Sequence, residues 1–312
     1  MHAYHQQLPH NAGTPFITDA GLETELVFKK GYELPQFAAF PLLESKQGQQ
    51  DLREYYQHYI DIARRYNTGI VLEAPTWRAS RAWGEKLGYD AEALAYINRE
   101  AIRFLVRLKD EAALQTPCII SGCIGPRYDG YVPENSLSSE QAETYHSAQV
   151  KAFAEAGADI VSAFTMTSIS EANGIVQAAK KRKVPVVISF TTETDGRLPS
   201  GESLQQAIEF IDQQSNAYPL YYMINCAHPT HFDQAINDNQ AWIRRIGGIR
   251  ANASCKSHAE LDECTELDAG NPQQLGVAYK GLQSRLHNLN VVGGCCGTNH
   301  QHIAAIAQAC FG

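Results

Sequence analysis

Long apolar runs, an excess of basic charge and a glycine-rich nucleotide fingerprint are all missing from this sequence. A membrane span needs ~18 consecutive apolar residues, and the apolar run at 184–190 stops after a handful. The first fifteen residues are polar, carry His2, His5 and His10, and show no basic segment followed by an apolar one, so no secretory signal is expected. They read as a flexible N-terminal tail (1–15) ahead of one domain (16–312). With 26 basic against 34 acidic residues the formal net charge is −8. That leaves no electrostatic footprint for a nucleic-acid backbone or an anionic membrane surface. The expectation is therefore a cytoplasmic protein with small-molecule partners, no nucleic acid and no membrane, its oligomeric state left open. Eight cysteines diluted through 312 residues without an export signal point to thiol chemistry or metal ligation rather than a disulfide framework.

The composition, 44% hydrophobic and 19% charged, is that of a chain able to bury a substantial core. Short β-branched and apolar runs alternate with longer amphipathic stretches, and eight alternations can be counted. The strand-like runs lie at 16–18, 70–72, 118–120, 159–161, 185–190, 220–224, 248–250 and 290–292. Between them, 51–66 places Leu52, Tyr55, Tyr56, Tyr59, Ile62 and Ala63 on one helical face, and 91–114 repeats the pattern with Leu94, Ile97, Ile102 and Leu105. Ser138-Ser139-Glu140-Gln141 opens a helix with a capping box, and Gly157 closes it. Strict β/α alternation with near-continuous apolar strands indicates a parallel sheet covered by helices. Eight units favour a closed (β/α)8 TIM-type barrel in a single α/β domain. The competing open doubly wound sheet lacks a Gly-x-Gly-x-x-Gly after the first strand. Segments 126–133 and 192–201 read as long loops after the third and fifth strands.

The chemistry concentrates where strands end. Gly293-Gly294-Cys295-Cys296-Gly297-Thr298 puts two adjacent thiols at the tip of the eighth strand, and Cys226 closes the sixth. In a barrel these tips converge on the face that carries active sites. Adjacent side chains on a strand point opposite ways, so both thiols reach one metal only where the flanking glycines let the backbone turn. Three cysteinates around Zn2+ leave one tetrahedral position free, the pattern of a catalytic zinc. A lone cysteine at a strand end is ordinarily a small buried hydrophobe, and three at converging tips favour a metal. A redox pair is disfavoured because adjacent cysteines close a strained ring and the Cys-x-x-Cys spacing is missing. A free thiol, with a pKa near ~8.5, is mostly protonated at neutral pH, whereas coordination to zinc deprotonates it. Cys226, Cys295 and Cys296 are thus the expected metal ligands and catalytic residues.

Several motifs carry a family likeness: Asp19-Ala20-Gly21-Leu22-Glu23-Thr24-Glu25-Leu26, Gly122-Cys123-Ile124-Gly125-Pro126, Ala156-Gly157-Ala158-Asp159, Ser189-Phe190-Thr191, Asn225-Cys226 and Gly293-Gly294-Cys295-Cys296-Gly297-Thr298. Together they resemble the homocysteine S-methyltransferase family over nearly the whole chain. The Gly-Gly-Cys-Cys-Gly-Thr signature is the most specific of them. The resemblance implies a (β/α)8 fold, one zinc on the three cysteines, and methyl transfer to a thiol such as homocysteine, giving methionine. An onium methyl of S-methylmethionine, S-adenosylmethionine or betaine fits the donor. The alternatives are a zinc-dependent methyltransferase for another thiol and a zinc barrel hydrolase, although the latter relies on histidine and carboxylate ligands and no His-x-His stands near the first strand.

For the acceptor, the resemblance assigns Asp19 to the amino group, with Gly21 following it. Glu73 and Thr76 lie in Glu73-Ala74-Pro75-Thr76-Trp77, an imperfect match to the family's Glu-Thr-Asn-Thr-Phe type of segment. Asn225 precedes the first zinc cysteine, and Asn252 matches a family asparagine at the seventh strand, where a turn asparagine is the plain reading. Trp77 reads equally as core or as a face for a cationic methyl donor. Relatives commonly carry a glutamate before the threonine of the fourth strand to hold the acceptor amine, and here Phe164 stands in Ala163-Phe164-Thr165. Either Glu73 or Glu23 compensates, with Asp19 and Glu73 expected around the amine and Phe164 narrowing the pocket, or the acceptor lacks the ammonium. His228 and His231 are candidate fourth or supporting ligands, read mainly as loop histidines. Cys118, Cys123, Cys255, Cys264 and Cys310 read as bland, Cys123 alone lying near a strand tip.

Overall fold

Each strand of the sequence carries two apolar sets, one for each face, and the two sets end in different cores. The computed structural model describes residues 8–11, 13–131, 137–236, 240–262 and 266–312. Eight strands, β1 (Phe16–Thr18), β2 (Gly69–Glu73), β3 (Cys118–Ile124), β4 (Ile160–Met166), β5 (Val186–Phe190), β6 (Tyr222–Asn225), β7 (Ile246–Ala251) and β8 (Val291–Gly294), form a closed barrel in sequence order. Every neighbouring pair is parallel, and closure comes from Phe16 opposite Val291 and Ile17 opposite Val292. The (β/α)8 architecture expected from the alternation is the one that forms.

Odd and even positions separate by the strand period of two. Phe16, Val71, Ile119, Ile160, Phe164, Val187, Met223 and Val291 fill the barrel interior. Ile17, Ile70, Leu72, Ile120, Val161, Ile188, Ile224 and Val292 pack outward in the helix-covered core. Each such fully buried side chain contributes roughly 1.5–3 kcal/mol of transfer free energy. Of the expected tail, Leu8 is buried beneath the interior cluster, and Asn290 Nδ2 donates to the carbonyls of Pro9 (2.5 Å) and Thr14 (2.9 Å).

The helices follow their signals. Lys46–Tyr66 buries the apolar stripe read from the sequence and starts before it, because Ser45 caps it by accepting from Gly48 N (2.9 Å) ahead of a polar first turn. Asp90 caps Ala91–Ala112. Ser138 and Gln141 form the expected capping box of Ser139–Ala156, and Gly157 ends it at φ 86°. β3 and β4 run longer than their apolar triplets, since the small residues Ser121, Gly122 and Cys123 pair with Ile160, Val161 and Ser162. Both strands therefore deliver side chains further toward the C-terminal mouth than their apolar runs alone would.

Candidate metal centre and acceptor cavity

A cavity of about 420 Å³ opens at the C-terminal mouth. Cys226, Cys295 and Cys296 lie on its wall with all three Sγ atoms within 4.8 Å of one another, the one such metal-capable group among the described residues. Cys226 and Cys296 are 3.7 Å apart, close to the ~3.8 Å edge that ~2.3 Å bonds make around a tetrahedral ion. Cys226 and Cys295 stand closer, at 2.7 Å. The seven described cysteines are free thiols; Cys264 lies outside the described residues. The donor set, three soft sulfurs with no fourth ligand among the described residues, fits a thiophilic ion with one open position. As thiols alone they share charge unequally: hydrogen bonds from Cys226 and Cys296 pull the Cys295 pKa well down, and the same bonds push Cys296 and Cys226 up.

The local backbone explains how adjacent thiols face one ion. β8 ends at Gly294; Cys295 N then donates to Ala251 O (2.9 Å), Ala253 N donates to Cys296 O (3.0 Å), and Thr298 donates to Cys295 O through both N (3.1 Å) and Oγ1 (2.6 Å). The chain thus turns at the pair. Of the flanking glycines, Gly297 takes up a left-handed φ of 77° directly after the pair, and Gly21 across the mouth permits close approach, since a Cβ there would sit 2.6 Å from Cys295 O. Cys226 itself adopts φ 54°, an uncommon left-handed conformation for a residue with a Cβ. It is held by its N–H to Arg250 O (3.2 Å) and by His258 Nε2, 2.7 Å from its carbonyl. Asn225 ties β6 to β4 and β5, accepting from Thr165 N (2.9 Å) and Ser189 Oγ (2.6 Å). Its Nδ2 lies 3.8 Å from Cys295 Sγ.

Of the other expected site residues, Asp19, Gly21, Glu73 and Asn225 line the cavity. Thr76 and Asn252 do not. Thr76 is buried behind the wall, donating from Oγ1 to Cys123 O (2.8 Å), and Asn252 is buried with its N–H on Ala227 O (3.1 Å). Their neighbourhoods resemble the family imperfectly, and neither side chain reaches the cavity lining. Neither His228, paired with Thr230, nor His231, on the Cys255 carbonyl, joins the sulfurs. Trp77 lines the cavity, but Arg78 already covers its ring at 4.0 Å.

Three cavity residues escaped the sequence reading. Tyr131 brings its hydroxyl 3.8 Å from Cys226 Sγ and 3.7 Å from Cys296 Sγ, with its ring stacked 4.1 Å from that of His258. Arg78 is described below. Arg250 points inward from β7, in parity with Gly248, and lies 2.9 Å from Asp19 Oδ1 and 4.8 Å over the Phe164 ring. Its Nε and Nη2 donate to Gly294 O and Ala20 O, each at 3.0 Å. Burial opposes the charge of Arg250, yet Asp19 and Glu73 raise its pKa above the ordinary arginine value. Burial raises the pKa of Asp19 against the pull of Arg250 and Tyr55, and pushes Glu73 up to about 7.

A closed barrel whose mouth carries three convergent thiols defines a (β/α)8 protein with a sulfur site able to hold a thiophilic ion. The family profile described as homocysteine S-methyltransferase matches residues 16–310, and the chain belongs to that family. Homocysteine S-methyltransferase 1 of Arabidopsis thaliana is 26% identical over 196 residues, 59% of this chain and 56% of the relative. The chain thus spans little more than half the length of that relative. Selenocysteine Se-methyltransferase of Brassica oleracea var. italica is 21% identical over 96% of this chain and 90% of its own. The oxidized form of the Escherichia coli homocysteine methyltransferase MmuM superposes with a TM-score of 0.75 at 19% identity, covering 97% of this chain and 98% of its own, and so shares the fold.

Proposed function

We propose that this chain moves a methyl group from an onium-type donor (S-methylmethionine, S-adenosylmethionine or betaine) to a zinc-held thiol, with homocysteine as acceptor and methionine as product. The observation that carries this reading is the trio of sulfurs gathered at the mouth of a barrel of this family. Cys226, Cys295 and Cys296 would hold the ion. Zinc, when bound, supplies the chemistry of keeping an acceptor sulfur deprotonated at neutral pH. The protein does the positioning. Asn225 and the His258 contact fix Cys295 and Cys226, and the rings of Trp77, Tyr131, Phe28 and Phe37 line the cavity. Asp19, Gly21, Glu73 and Asn225 are the acceptor-side residues. The pairing of Asp19 with Glu73 around an acceptor amine narrows to Glu73, because Arg250 neutralises Asp19 and Tyr55 also donates to it (3.0 Å).

A thiolate ligand set disfavours the water-activating hydrolase, whose zinc relies on histidine and carboxylate. Free thiols suit a reducing compartment such as the cytoplasm. No described helix is long and apolar enough to cross a membrane. The test is to incubate zinc-loaded protein with homocysteine and other thiols against each donor and to read the methylated product by mass spectrometry. Methionine is the expected product. Folded, metal-loaded protein that methylates no thiol from any donor overturns the reading, and methylation of another thiol alone moves the acceptor.

A further inference from the structure

Three buried charged side chains of the cavity wall are satisfied very unequally. Arg250 spends its Nε, Nη1 and Nη2 on Gly294 O, Asp19 and Ala20 O, and lies over Phe164. A substrate ammonium brought to Asp19 would meet this cation at the same carboxylate. Glu73 is 5% exposed; Ser162 Oγ donates to its Oε1 at 3.1 Å and the Ser121 hydroxyl also pulls on the carboxylate, while Oε2 has no hydrogen-bond partner among the described residues. Arg78 is 6% exposed, stacked over Trp77 (4.0 Å) and Trp83 (3.7 Å), with one donor on Tyr128 O (3.0 Å) and Nε without a partner among the described residues. Both line the cavity. An unmade hydrogen bond at a buried charge costs stability that the protein alone does not recover.

The two charges also sit on one braced connection, the segment that leaves β2. Thr76 is tied to Cys123 O (2.8 Å), Gln149 Nε2 donates to Thr76 O (3.0 Å), and Asn98 Nδ2 donates to Ala79 O (2.8 Å). We propose that Glu73 and Arg78 form the head-group subsite for an α-amino-acid thiol, Glu73 Oε2 taking the ammonium and Arg78 Nε the carboxylate. This deepens the methyl-transfer reading and rests on it for the thiol end. It moves amine recognition away from the Asp19 and fourth-strand positions, which here are occupied by an internal ion pair and an aromatic ring.

The experiment measures binding by calorimetry, on zinc-loaded protein, of homocysteine, its des-amino analogue 4-sulfanylbutanoate and its decarboxylated analogue 3-sulfanylpropan-1-amine. The parent should bind homocysteine about 100-fold more tightly than either analogue, the scale of one charge-assisted buried hydrogen bond. Glu73→Gln should abolish discrimination against the des-amino thiol while keeping that against the decarboxylated one. Arg78→Met should do the reverse. General damage to the pocket does not produce such a crossed pattern. Uniform losses, unchanged preferences, or a parent that binds all three alike would overturn the proposal. Should a variant fail to fold by circular dichroism, the parent's own ranking still decides. Crossed binding in a protein that methylates no thiol from any donor keeps this subsite and removes the methyl-transfer reading; methylation with uncrossed preferences does the opposite.

Discussion

The β6–β8 side of the barrel mouth and the β2–β4 side were built under different constraints. On the first side three sulfurs converge, and every supporting contact, from Asn225 to the turn at Thr298, holds them in one place. On the second, the aromatic ring of Phe164 faces the barrel interior, and Arg250 reaches across from β7 to cover it. A metal centre accepts few donor sets, so its ligands are specified by type. A head-group pocket needs only complementary charge, which can be supplied from another strand. The chemistry and the recognition of one site are thus separable.

Three perturbations press on that separation. The largest effect is expected from Cys226→Ser, Cys295→Ser or Cys296→Ser, each reducing bound zinc from about one per chain to near none and methyl transfer by at least ~1000-fold, with the barrel intact. Elemental analysis beside circular dichroism checks this, and a variant that retains a full equivalent of zinc removes its cysteine from the ligand set. Next, Arg250→Met or Asp19→Asn should each cost about 3–5 kcal/mol in urea unfolding, because either leaves a buried charge unpaired. The double variant should cost less than the sum of the two, by about 1–3 kcal/mol. Strict additivity would mean that the pair is not coupled.

The smallest effect is on pH. Burial raises Glu73 from its ordinary 4.5 to about 7. Between those values the folded chain keeps a proton that the unfolded chain has released, so this group's contribution to stability falls as pH rises through that window and is level above it. Without thiol present, the stability difference between Glu73→Gln and the parent should grow in favour of the variant from pH 4.5 to 7, by up to about 3 kcal/mol. A difference that is flat across that range would show a carboxylate with an ordinary affinity for protons.

Legibility in the sequence divides along the same line. The strands, the main helices and the three sulfurs could be read because periodicity, caps and a doublet of cysteines between glycines are local signals. The tips of β3 and β4 could not, since Ser121, Gly122 and Cys123 look like loop residues until their parallel partners are known. Thr76 and Asn252 were placed by imperfect motif likeness, and motif position does not report which way a side chain leaves the backbone. Arg250 did have a readable sign: it shares the parity of Gly248, opposite to Ile249 and Ala251, which places a charge on the interior face of an apolar strand. Arg78 and Tyr131 lie in connections whose course only tertiary contacts determine.

The seam between β1 and β8 has a consequence for synthesis. The strand that completes the ring is also the one that leads directly into Cys295 and Cys296, so a ribosome-bound chain lacking that last stretch has neither a sealed sheet nor more than a single one of the three sulfurs. Until β8 has emerged, the nascent chain holds an open sheet and one sulfur, so that sealing the sheet and completing the sulfur trio depend on the same segment.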